Sequence, residues 1–238
     1  MRYGNADLVF SEEYADVSRI ESNVLSCSFR ISEYDGEKVK VNAYSSGFPA
    51  SPAPVVSQSG SVLSIRQEEI LSIGIFKHNT VEVLVPRNSS FDYKLHTASG
   101  SIRLDAKSND TNVSSSSGSV RVYQGGKTLE VKCTSGSIRV YEPFVSENVN
   151  CSSGSVRIKC GEISENANVN CTSGSIRIML EPEDIGYVFN AKATSGSIKD
   201  EYQEASFGRS GTSSHGDQKL MINAHTTSGS IRLDDWDD

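Results

Sequence analysis

Seven basic side chains recur at one place in a short repeated phrase, and a line of cations at regular spacing is the part of this sequence best suited to chemistry. The phrase is Ser-Gly-Ser-Ile-Arg at 99–103, 135–139, 173–177 and 228–232. Val replaces Ile at 117–121 and 153–157, and Lys replaces Arg at 195–199. Stacked copies would align Arg103, Arg121, Arg139, Arg157, Arg177, Lys199 and Arg232 in one column. Cations about 5 Å apart repel by about 0.8 kcal/mol per pair in water. Such a column therefore calls for counter-charge, and two sources are open. Nearby acids such as Asp105, Glu142, Glu162 and Asp234 can neutralise it, or it can serve as a binding stripe for an anionic glycan or cell-wall polymer.

Other reactive residues point to structure. Cys133, Cys151 and Cys171 each lie three residues before a repeat glycine, so they read as a stack of small core side chains. Zinc sites favour short Cys-x2-Cys pairs, and neither such a pair nor a histidine cluster is present. No metal or other cofactor is expected. The sequence holds no Gly-x-Ser-x-Gly elbow, P-loop or dinucleotide fingerprint. A polysaccharide-cleaving β-helix enzyme is a second function class, and it would need carboxylates gathered on one face. The acids between repeats, Glu142, Glu147, Glu162, Glu165, Glu181 and Glu183, form no equally regular column. The expectation is a non-enzyme.

The elements that carry these residues follow from the repeat. Its glycines are Gly100, Gly118, Gly136, Gly154, Gly174, Gly196 and Gly229, at steps of 18, 18, 18, 20, 22 and 33 residues. Before each glycine the odd offsets (Val149 and Cys151, for example) are small or β-branched; after it the even offsets (Val156 and Ile158) are apolar. The inward phase thus slips by one residue at Ser-Gly, which a straight strand cannot do. A glycine corner can. Each repeat reads as a strand, a corner and a second strand, and a coil of 18–22 residues suits a parallel β-solenoid, right-handed by the usual crossover preference. Regular coils are expected over 93–238, with a loop near 206–218 projecting from them. An irregular β region over 1–92 caps the same stack.

The Ser-Gly-Ser-Ile-Arg repeats, preceded by a strand ending in Val85-Pro86, resemble the bacterial "putative adhesin" family of β-strand repeat proteins of unknown function. The resemblance covers about residues 20 to 234 and implies an all-β β-helix fold in an exported or cell-surface protein; it supplies no catalytic residues. A cytoplasmic protein is the alternative, because polar Arg2 to Asn5 follow Met1 and no run approaches the ~20 apolar residues of a membrane span. The net charge of −7 argues against a nucleic-acid partner. A structural spacer or signalling ectodomain that binds another protein is the alternative function.

Overall fold

The computed structural model describes residues 6–48, 54–67, 75–182 and 184–234. Among them there is no helix; the chain forms one sheet of 12 strands and one of 11. Each repeat contributes a long strand to the 11-stranded sheet and a short strand to the other. In the Gly154 coil these are Phe144–Ser153 and Val156–Gly161. Val149, Cys151, Val156 and Ile158 are all buried, so the slip of inward phase falls at the corner. The seven corner glycines have φ between 139° and 148°, a region L side chains avoid. Their N–H groups bind the next coil: Gly118 N donates to Ser135 O at 3.0 Å and Gly136 N to Ser153 O at 3.0 Å. Parallel, in-register pairing then stacks identical offsets: Val131 on Val149 and Cys133 on Cys151.

The coils do not stack in chain order. Gly174 N donates to Ser228 O at 2.8 Å, and Gly229 N to Ser195 O at 3.0 Å. The Gly229 coil, strands Leu220–Ser228 and Ile231–Leu233, therefore lies between the Gly174 and Gly196 coils, although it comes last in the sequence. The N-terminal end shows the same device. An eighth coil turns at Cys27, from Arg19–Ser26 to Ser28–Tyr34, and is held between the Gly100 coil and the later strands Val62–Arg66 and Ile75–Pro86.

Antiparallel strands close both ends, which makes the sheets mixed rather than purely parallel. The segment near 206–218, expected to project, instead supplies edge strands. Ala205–Phe207 pairs with Ile198–Asp200, and Ser210–His215 pairs with Tyr187–Ser195. Unpaired backbone groups at an open sheet edge favour that docking, and Asp200 anchors it. This residue occupies an inward position that is Val, Ile or Leu in the other coils. It is fully buried and accepts hydrogen bonds from Tyr187 Oη at 2.7 Å, Ser213 Oγ at 2.6 Å and Gln203 N at 3.2 Å. At the opposite end the edge strand Asp7–Tyr14 carries a bulge between Leu8 and Phe10 and places Glu12 opposite Val41. A bulge and an acid on that row both discourage further strand addition.

Another buried inward position carries a carboxyl. Glu147 stands in an inward column with Thr111, Leu129 and Ala167. Its Oε1 accepts the Phe144 N–H at 3.2 Å, while its buried Oε2 has no partner. Burial pushes this carboxyl up to about 8 from 4.5. The folded chain therefore holds a proton that the unfolded chain releases above pH 4.5, and stability must fall as pH rises from about 4.5 to 8. We expect Glu147→Gln to remove a loss on the order of a few kcal/mol across that window, read as the urea midpoint at pH 5 and pH 8.5. An unchanged pH slope in the variant would assign the effect elsewhere.

Candidate functional site

The short-strand sheet sets the geometry of its outer face. Offsets +2 and +4 from each corner are buried, so +1, +3 and +5 point outward in three parallel lines. Pairing without register shifts places the +3 residues in the order Arg30, Arg103, Arg121, Arg139, Arg157, Arg177, Arg232, Lys199. All seven basic residues singled out from the repeat stand in this column, with Arg232 ahead of Lys199. Arg30 is an eighth member that the repeat search missed, because its corner residue is Cys27 instead of glycine. The surviving pattern, Ser26-Cys27-Ser28-Phe29-Arg30, was the available signal.

Acids at +5 neutralise part of the column. In the Gly100 coil the +5 residue is Asp105, 3.3 Å from Arg103. In the Gly196 coil it is Glu201, 3.7 Å from Lys199. The Gly229 coil has Asp234, which takes Arg177 of the neighbouring coil at 3.1 Å. Burial raises the Asp234 carboxyl above its ordinary value, and Arg177 and Arg232 draw it back. Glu142 and Glu162, the other acids considered as counter-charge, make no ion pair among the described residues.

The middle of the column differs. Its +5 residues are Tyr123, Tyr141 and Lys159, and Lys159 is itself paired with Glu181. Among the described residues Arg121, Arg139 and Arg157 have neither an ion pair nor a hydrogen-bond partner for the guanidinium. The two tyrosine rings stack at 4.6 Å and 7°. Arg103 closes that stack, its guanidinium carbon 4.0 Å from the Tyr123 centroid and its Nη1 3.2 Å from Tyr123 Oη. On the other side of the cations run half-buried serines at +1, where Ser137 and Ser155 hydroxyls lie 3.2 Å apart. Three uncompensated arginines on strands about 4.8 Å apart thus run beside a line of hydroxyls, two of them, Arg121 and Arg139, flanked on the other side by tyrosines.

The cysteines face the other way. Cys133, Cys151 and Cys171 are buried, and each thiol donates to the corner carbonyl of the preceding coil: Gly118 O at 3.3 Å, Gly136 O at 3.5 Å and Gly154 O at 3.3 Å. Thr97 and Thr226 use the same position for the same purpose, at 3.0 Å to Cys27 O and 3.1 Å to Gly174 O. The position thus asks for a small donor, and sulfur is one way to supply it. No group of described residues is arranged to hold a metal ion.

The outer face of the long-strand sheet carries an asparagine ladder that sequence reasoning missed. Asn223 donates to Asn168 at 3.0 Å and Asn190 to Asn223 at 3.2 Å, while Asn170 donates to Asn150 at 3.2 Å. Asn at offsets −6 and −4 was the signal. These amides satisfy one another, so this face is structural in character.

A family model described as Toastrack DUF4097 matches residues 17–142 and again 125–234. The chain belongs to the Toastrack DUF4097 family. The two matches together take in every coil of the Toastrack stack. Solved structures similar to this chain include a putative cell adhesion protein from Clostridium sporogenes, 14% identical over 96% of this chain and 99% of that one, with a TM-score of 0.45. A putative adhesin from Bacteroides fragilis is 10% identical over 96% and 97%, with a TM-score of 0.43. A putative lipid binding protein from Parabacteroides distasonis is 15% identical over 98% of each chain, with a TM-score of 0.42. No curated protein matches this Toastrack chain. Among the described residues no helix is long and apolar enough to cross a membrane.

Proposed function

We propose that this Toastrack chain is a non-enzymatic, surface-displayed, adhesin-like β-solenoid that binds an anionic polymer along Arg121, Arg139 and Arg157. The observation that carries the reading is the uneven placement of acid. The chain has a net charge of −7, yet three neighbouring guanidinium groups lack a counter-charge while Arg103, Arg177 and Lys199 in the same column have one. Neighbouring cations at strand spacing repel by about 0.9 kcal/mol per pair even in water. A polyanion laid along the stack removes that repulsion and forms planar, charge-assisted hydrogen bonds. The right-handed sense of the coils is part of the same reading and rests on the general crossover preference. The role needs no cofactor and no catalytic group.

Binding to an immobilised polyanion at low salt tests the proposal. Arg121→Ala, Arg139→Ala and Arg157→Ala combined should weaken binding by at least about tenfold. Three released contacts predict a slope of log affinity against log salt near −2 for the parent chain, by analogy with single-stranded polyanions. A triple variant that binds as the parent does would refute the assignment.

A further inference from the structure

We infer that the polymer is a polyuronate, a chain of sugar rings that each carry a carboxylate. This rests on the polyanion reading above and goes further by naming the chemistry of the repeating unit. Three parallel lines define what fits. The guanidinium line offers one cation per coil, at a spacing of about 4.8 Å, and pairing without register shift over the Gly118, Gly136 and Gly154 coils keeps it straight. A ligand with one anion per ring-sized unit can meet these cations one to one. The guanidinium fork matches a carboxylate in plane.

The two flanking lines choose between polymers. Tyr123 and Tyr141 form a wall two residues along the strands from Arg121 and Arg139; their faces cover each other and Arg103 covers the outer face of Tyr123, so the wall is built from ring rims held in place by the stack. Ser119, Ser137 and Ser155 bound the stripe on the opposite side, half-buried and rich in hydroxyl groups. A pyranose is a rigid ring that can pack its edge against the tyrosine rims and offer hydroxyls to the serines, while its carboxylate takes the arginine. A phosphodiester chain built on glycerol or ribitol offers charge and hydroxyls without a rigid ring, so it leaves the tyrosine wall uncontacted. A polypeptide of glutamates offers carboxylates on flexible stems and likewise leaves the tyrosine wall uncontacted.

Titration of the parent chain with size-matched polygalacturonate, poly(glycerol phosphate) and poly-glutamate at one ionic strength tests this. Polygalacturonate should bind at least about tenfold more tightly than either of the others. Replacing both tyrosines, Tyr123→Leu with Tyr141→Leu, should weaken polygalacturonate about fivefold and leave poly-glutamate unchanged. Equal affinity for all three polymers overturns the uronate inference and leaves the polyanion reading standing. Binding to none of them overturns both. The comparison among ligands uses the parent chain alone, so it does not depend on how any variant folds.

Discussion

Gly154→Ala should destabilise the protein by more than about 4 kcal/mol, among the largest effects a single methyl group can have. Gly154 has φ 139°. A Cβ built there would lie 1.9 Å from Gly136 O and 2.7 Å from Gly136 C. Those atoms belong to the backbone of the neighbouring coil, which cannot yield without breaking the bonds between coils on either side. Backbone strain contributes about 1–3 kcal/mol, and the clash adds the rest. Ser153→Ala, one residue away and exposed, should change stability by no more than about 0.5 kcal/mol. Urea unfolding of both variants measures the contrast. A Gly154→Ala loss under about 1 kcal/mol would mean that the corners do not pack as described.

Removing the last coil should cost more still. A chain ending at Gln218 lacks Leu220–Ser228 and Ile231–Leu233, and with them the buried Leu220, Ile222, Ala224, Thr226, Ile231 and Leu233. In a solenoid stacked in chain order this would trim one end. Here it empties a slot between the Gly174 and Gly196 coils and leaves two apolar sections and two rows of backbone groups without partners. We expect the truncated chain to lose cooperative thermal unfolding. A peptide spanning 219–234, added in trans, should restore it in part. A truncated chain that melts as the parent does would show that the Gly229 coil is not internal.

The corner, the inward phase and the cation column were legible because each depends only on neighbours within one repeat. Gly154 had to turn the chain wherever its coil lay, and Val156 and Ile158 had to face in. Coil order was not legible, since every coil presents the same offsets and can stack on any other. Only the 33-residue step from Gly196 to Gly229 hinted at a detour. That detour contains the Ala205–Phe207 and Ser210–His215 strands, whose Ser- and Gly-rich composition suggested a loop. Their partners are sheet edges distant in sequence, and Asp200 in place of an apolar residue was the local trace of that cap. Within the site, the column was legible but its open stretch was not. The discriminating residues, Asp105 and Glu201 against Tyr123 and Tyr141, sit two positions past the repeated phrase.

In the proposed reading, position within the column, and not basic charge in general, creates the binding stripe. The direct measurement compares two charge-matched triple variants by titration with polygalacturonate at low salt. One carries Arg121→Gln, Arg139→Gln and Arg157→Gln. The other carries Lys94→Gln, Lys127→Gln and Lys192→Gln, three exposed cations on the other sheet. Binding should weaken at least about tenfold in the arginine variant and change less than twofold in the lysine variant. Equal losses in both would contradict it.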